Sequence, residues 1–294
     1  AYEISCSLVG SEMCIRDSYG ADGNISYSQD IGKDFSFTIR GNFTYSKNDV
    51  QNWEQADPKY PYQQISGMPY GVQRGYIALG LFRDDQDVES SPSQFGTVRP
   101  GDIKYRDLNG DGVIDDYDKM PIGFCDIPEI TYGFGGAIEW KGFDVSIFFQ
   151  GTARVSLFEE GSTIVPFSSG YKNNDGFLRG VMENRWTVDN PDPNARYPRT
   201  IRPSDALDNN NTKKSSFWVR NAAFLRLKNA EIGYTFPKRW MEKMAIQNLR
   251  LYVSGVNLLT WAPDVHLFDP DLGSGDGRKY PPTRVFNVGL NINF

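Results

Sequence analysis

No stretch of the 294-residue chain approaches the roughly 18 consecutive apolar residues that a membrane-spanning helix needs. That leaves a strand-built membrane protein open, because a barrel strand requires only about 10 alternating residues. Cysteine is scarce. Three residues, Cys6, Cys14 and Cys125, leave one over in any intrachain pairing, and their spacing fits no zinc pattern. A concentrated basic face is missing too: 31 Lys and Arg stand against 37 Asp and Glu, for a net charge of −6, which argues against a nucleic-acid partner. Nucleophile motifs are also lacking. The single histidine, His266, lies in a loop near Pro263 and Asp264, and the adjacent acids Asp115 and Asp116 or Glu159 and Glu160 define no acid/base geometry. No catalytic residue is named, and the chain is not read as an enzyme.

Aromatics are plentiful at 14%, alongside 29 Gly, a combination that suits β-structure with polar loops. From Asn24 onward the chain falls into period-2 segments with one apolar and one polar side. Phe35, Phe37, Ile39, Phe43 and Tyr45 alternate with Ser36, Thr38, Arg40, Asn42 and Thr44. Ile130 to Trp140 and Phe143 to Gln150 follow the same rule, as do Ala223 to Phe236, Leu249 to Trp261 and Arg284 to Phe294. A frame slip near Lys228 suggests a bulge. With Asn24 to Ile31 the reading gives seven strands.

Short and long connections alternate. Gly32-Lys33-Asp34 and Lys141-Gly142 are tight hairpin turns and Pro237 to Asn248 is a modest one, whereas residues 48 to 128, 156 to 217 and 262 to 282 form long polar loops. Short turns at one end and long loops at the other is the layout of bacterial outer-membrane barrels. Tyr45, Trp140, Phe143, Phe236 and Trp261 lie near strand ends like an interfacial girdle. A soluble sandwich also alternates, because one face packs on a second sheet, but it rarely carries such loops at one end only. The fold class read from the sequence is therefore all-β, an antiparallel transmembrane barrel segment.

Two ends call for separate treatment. Ser5 to Ser18 resembles a translated sequencing-adapter peptide, so residues 1 to 18 are read as a non-native extension and residues 19 to 294 as the β-domain. At the other end Asn287 to Phe294 resembles the terminal signal that the barrel assembly machinery reads, with the aromatic Phe294 offered on an open strand edge.

One segment carries metal chemistry. Asp107-Leu108-Asn109-Gly110-Asp111-Gly112-Val113-Ile114-Asp115-Asp116-Tyr117-Asp118 sets oxygen donors at the spacing of a calcium loop: Asp107, Asn109, Asp111, Asp115 and Asp118, with the carbonyl of Val113. Gly112 supplies the sharp turn and Ile114 an apolar anchor, while Asp118 stands where an EF-hand has glutamate. Hard oxygen donors suit Ca²⁺ as a structural clip. The alternative reading is a turn cluster that needs no metal. The second acidic stretch, with Asp264, Asp269, Asp271 and Asp276, lacks fixed spacing and reads as a solvated loop. The loop aromatics Trp53, Tyr60, Tyr62, Trp186 and Tyr280 suit either sugar stacking or packing among the loops.

Several segments together resemble the C-terminal third of the SusC/RagA family of TonB-dependent outer-membrane transporters. They are Gly101 to Asp107 running into the acidic loop, Pro128 to Gly136, Trp140 to Asp144, Phe148 to Gly151, Asn184 to Thr187, Tyr197 to Arg199, Leu225 to Asn229 and the last strand. The resemblance implies a barrel of about 22 strands with a plugged lumen. It also implies a SusD-like lipoprotein partner, energy from the TonB complex, contact with outer-membrane lipid, and uptake of oligosaccharides or, in some relatives, peptides. The plug and the TonB-contacting region lie outside the match, so the segment alone is not expected to transport. A secreted calcium-dependent carbohydrate-binding β-domain is the alternative function, and a glycoside hydrolase has only scattered carboxylates in its favour.

Overall fold

The computed structural model describes residues 14–165, 178–200, 209–241 and 246–294. Seven strands form one sheet: β1 (Cys14–Ile31), β2 (Phe35–Trp53), β3 (Ile130–Trp140), β4 (Phe143–Ala153), β5 (Phe224–Thr235), β6 (Asn248–Trp261) and β7 (Val285–Asn293). Their order across the sheet is their order along the chain, every neighbour antiparallel, with β1 and β7 as the two edges. Such a meander follows from the connections. A two-residue turn can only return the chain beside itself, and Lys141 (φ 50°) and Gly142 (φ 90°) take the paired positive angles that match the twist of the strands they join.

The register sorts the side chains into two faces. On one lie Tyr27, Ile39, Ile138, Val145, Ile232, Val253 and Val288, each opposite the next except Ile39, which stands opposite Gly136, two residues from Ile138. Among the described residues nothing covers this face: Val288 is 76% exposed and Ile25 70%. The other face carries Ser28, Thr38, Ala137, Ser146, Glu231, Ser254 and Asn287. No helix among the described residues is long and apolar enough to cross a membrane.

β1 begins ten residues before the sequence alternation does. Arg16, Asp17, Ser18, Gly20, Asp22 and Gly23 are too polar to announce a strand, yet their backbone groups pair with β2 as far as Trp53. Pairing is decided by the neighbour's ladder as much as by local propensity. The proposed non-native extension therefore falls partly outside the described residues, at 1–13, and partly within β1. The slip near Lys228 is a bulge, seen in the ladders of β5 with both β4 and β6.

The core lies in the loops. Tyr76, Leu81, Ile103, Tyr105, Ile114, Ile122, Phe158, Ile164, Val165, Val181, Trp186, Tyr197 and Trp218 form a single buried cluster, drawn almost entirely from the connections after β2 and β4. Each of the larger side chains contributes roughly 1.5–3 kcal/mol by burial, so the polar-looking loops are a folded cap with an interior of their own. Short two-stranded ribbons stiffen it: Ala78–Leu81 with Ile103–Tyr105, and Ser156–Phe158 with Val219–Asn221.

Candidate functional site

The acidic loop leaves the ribbon strand Ile103–Tyr105 and is pinned from within. Ile114 is only 3% exposed and belongs to the cap core, as an apolar anchor at that spacing should. Around it the side chains turn back on the backbone. Asp107 accepts from the amides of Gly110 (2.6 Å) and Gly112 (2.8 Å), and Asp111 from Val113 (2.9 Å). Asp118, fully buried, closes the base by accepting from Leu108 (2.7 Å) and Asp115 (2.9 Å), while Asp115 caps the turn at Tyr117 (2.8 Å). Asn109 accepts from the Asp111 amide (3.0 Å) and donates to its carboxylate (2.9 Å). The six nominated residues thus share one ordered loop. Among the described residues no group of three or more His, Cys, Asp or Glu side chains gathers as a metal site would require. Their oxygens are hard donors that keep further lone pairs, so the donor chemistry suits calcium, whereas the side chains point at amides.

Three buried arginine–carboxylate nodes hold the cap together, and the sequence reading had none of them. Asp102, at 0% exposure, meets Arg199 (2.7 Å) and the amide of Asn211 (2.7 Å), joining the loop after β2 to the loop after β4. Glu159 lies between Arg220 (2.7 Å) and Arg196 (3.8 Å), and Arg196 reaches on to Asp264 (3.3 Å) in the loop after β6. Arg226 of β5, 1% exposed, holds Asp269 (2.6 Å) and Asp271 (2.8 Å) and donates to Thr260 (3.0 Å). Burial raises the carboxyls of Asp102, Glu159 and Asp271 above their ordinary range, against the lowering pull of Arg199, of Arg220 with Arg196, and of Arg226. The acidic stretch 264–276 is therefore an anchored strap and not a merely solvated loop. Its backbone also docks: the Gly275 amide donates to Phe158 (2.9 Å) and the Glu160 amide to Gly275 (3.2 Å).

The loop aromatics divide by environment. Trp186 is 7% exposed in the cap core, Tyr60 stacks on Tyr62 at 5.4 Å beside Tyr117, and Tyr280 stands 85% exposed. His266 is exposed. Phe294 is 80% exposed beyond β7, which is an open edge. Trp140, Phe143 and Trp261, all at least 50% exposed, mark the two ends of the apolar face as the girdle reading expects.

The polar face has its own charge pattern. Toward the turns, Arg250 of β6 bridges Asp144 of β4 and Glu231 of β5 (2.6 Å to Glu231). Asp30 and Glu139 share that level of the sheet. Midway, Arg40 lies over the ring of Phe148 at 5.1 Å.

A surface of this kind, apolar on one side, polar on the other and capped at one end, defines a class when compared with solved structures. The chain is similar in fold to the RagAB peptide transporter, with a TM-score of 0.67 over 95% of this chain and 29% of that one, at 20% identity. The RagAB peptide importer in its "closed-closed" state gives 0.65 over 95% and 30%. The fold is that of TonB-dependent barrel transporters. In sequence the chain is 29% identical over 244 residues to TonB-dependent receptor P26 of Formosa agariphila, covering 78% of this chain and 23% of that protein. It is 27% identical to receptor P3 of the same organism over 95% of the chain, and 24% identical to TonB-dependent receptor SusC of Bacteroides thetaiotaomicron, also over 95%. No family model matches. The chain is a homologue of TonB-dependent receptors of the SusC/RagA type, which are receptors and transporters, not enzymes. It spans 23–29% of the length of these curated relatives.

Proposed function

We propose that this chain forms part of the wall and the outward cap of a TonB-dependent outer-membrane importer that takes up oligosaccharides together with a SusD-like surface lipoprotein. One observation carries the reading: among the described residues a seven-stranded antiparallel sheet leaves its apolar face uncovered while the large buried cluster sits at one end. Hydrocarbon satisfies such a face and water does not, provided every strand finds a neighbour. The two open edges mean that further strands complete the wall, so the segment alone does not transport. The long loops belong outside the cell, where they offer the lipoprotein a preformed surface, and energy comes through contact with the TonB complex made elsewhere in the receptor. Fractionating cells that make the whole receptor tests this: recovery in the outer membrane and loss of growth on an oligosaccharide when the gene is deleted are expected, and recovery in the periplasm sinks the reading. A secreted calcium-dependent carbohydrate-binding domain accounts for the acidic loop but leaves Val288, Phe286 and Ile25 in water.

Calcium belongs to the same proposal. Asp107, Asn109, Asp111, Asp115 and Asp118, with the Val113 carbonyl, would turn toward the ion as a clip on the loop. Hydrogen exchange of the cap with Ca²⁺ and with a chelator decides it; protection of residues 107–118 that does not change removes the metal from the account.

A further inference from the structure

The two ends of the sheet carry charge differently. At the loop end cations come with carboxylates: Lys47 meets Asp49 at 3.2 Å and Arg154 meets Glu129 at 2.5 Å. At the turn end the first hairpin sets Lys33 beside Asp34. The next two turns carry Lys141, and Lys238 with Arg239 in the short helical turn Lys238–Met241, with no acid of their own among the described residues. In sequence Glu242 and Lys243 offset one another. The nearest strand carboxylates, Glu139 and Asp144, stand on the polar face, where Asp144 is held by Arg250.

Position in the wall makes this pattern independent of the strands that complete it. β3, β4 and β5 lie between β2 and β6, so further strands adjoin only β1 and β7, and whatever fills the lumen meets the polar face. The two basic turns are also tied together. The Thr235 amide donates to the Gly142 carbonyl (2.7 Å), and a Cβ at Gly142 would come within 2.6 Å of the Thr235 carbonyl oxygen. Glycine there keeps the turn close against the end of β5, three residues before Lys238.

An aromatic row runs beside these turns on the apolar face. Phe143 contacts Tyr234 at 4.5 Å, Tyr234 contacts Phe236 at 5.1 Å and Phe236 contacts Trp240 at 6.2 Å. Trp140 and Trp240 are 54% and 52% exposed. Lys141 leans toward this row, its Nζ lying 5.5 Å from the centre of the Trp140 ring. Exposed rings of this kind settle at the boundary between hydrocarbon and headgroups, and a lysine or arginine at the same level reaches the phosphates.

We propose that Lys141, Lys238 and Arg239, set beside this aromatic row, form a docking surface for the headgroups of anionic phospholipid in the leaflet that faces the turns. This rests on the importer reading above, which places the apolar face in a membrane. Charge complementarity and the rings together select the occupant. A zwitterionic headgroup gains the aromatic contact without the net charge, and a soluble anion gains the charge but leaves the rings in water.

The test uses the full-length receptor purified in a neutral detergent. Dioleoyl phosphatidylglycerol and dioleoyl phosphatidylcholine compete for it, and the retained lipid is counted by native mass spectrometry. The wild type is expected to prefer phosphatidylglycerol, and Lys141→Gln should lower that preference about 5-fold, the factor for one cation beside a negative lipid surface. The triple variant Lys141→Gln, Lys238→Gln and Arg239→Gln should lower it about 10- to 100-fold. Heat-modifiable migration shows whether its barrel closes, and if it does not, the single variant carries the same reading. An equal loss of charge in the cap, through Lys59→Gln, Arg83→Gln and Arg179→Gln, should leave the preference as it is.

No preference in the wild type, a preference that survives in the triple variant, or an equal loss in the cap variant overturns the proposal. So does a preference for lipid A that the triple variant removes, which assigns the surface to the lipopolysaccharide leaflet. Displacement of phosphatidylglycerol by inorganic phosphate alone also overturns it, in favour of a free anion. Those failures leave the importer reading standing while the receptor fractionates with the outer membrane; recovery in the periplasm removes both.

Discussion

The sheet and the cap carry similar side chains in opposite arrangements. In the sheet the large apolar residues face outward, so Ile147 is 44% and Val253 45% exposed; in the cap they face inward, where Ile103 is 0% and Leu157 1% exposed. Charge is reversed in the same way. The cap buries arginine–carboxylate nodes, and the sheet keeps its Arg250–Asp144–Glu231 group on the polar face at intermediate exposure. A single chain thus holds two opposite arrangements, and the boundary between them falls where the strands meet the loops. The difference shows why hydropathy averaged over this chain says little: both regions are mixed, and only the direction of each side chain separates them.

That contrast can be broken most strongly at its seam. Arg226→Met leaves Asp269 and Asp271 without their cation, and because these carboxylates stay 20% and 39% exposed the loss should fall below the roughly 3–5 kcal/mol of a fully buried pair. The strap 262–282 should then lose hydrogen-exchange protection while β1–β4 keep theirs; uniform protection throughout would mean that Arg226 is not the anchor. The next effect is on the sheet. Ile147→Arg puts a charge in the middle of the apolar face, where a lipid-facing arginine costs roughly 2–4 kcal/mol, and should reduce the amount of folded receptor in the outer membrane. In water the same substitution would be close to neutral, so unchanged folding and recovery argue for a soluble protein. The smallest effect is the control. Val188→Arg on the cap, at a site 83% exposed, should change stability by no more than about 0.5 kcal/mol, and urea titration of the refolded receptor measures it.

Much of the sheet was legible because one rule generates it. Alternation located all seven strands, the slip near Lys228 and the tight turn at Lys141 and Gly142. The polar first half of β1 was not, since Asp17, Ser18 and Gly20 gain their place from β2 and not from their own pattern. The cap was nearly silent for a related reason. Asn210 and Asn211 read as loop residues, yet they serve Ile103, Tyr105 and Asp102 more than a hundred positions away, and no local spacing encodes such a partnership. The acidic loop was found because its acidic residues follow one another; the anchoring of Asp269 and Asp271 was missed because their partner Arg226 stands in another element.

The bulge in β5 has one more meaning. Leu225 and Leu227 share the apolar face with Ile232, although they stand an odd number of positions before it, because Lys228 is one residue too many. It works as a phase shifter: removing it would make a more regular strand and a wrong one, sending either the leucines or Ile232 to the opposite side and Arg226 out of its pocket or Glu231 away from Arg250. A one-codon deletion there should therefore do more harm than most substitutions.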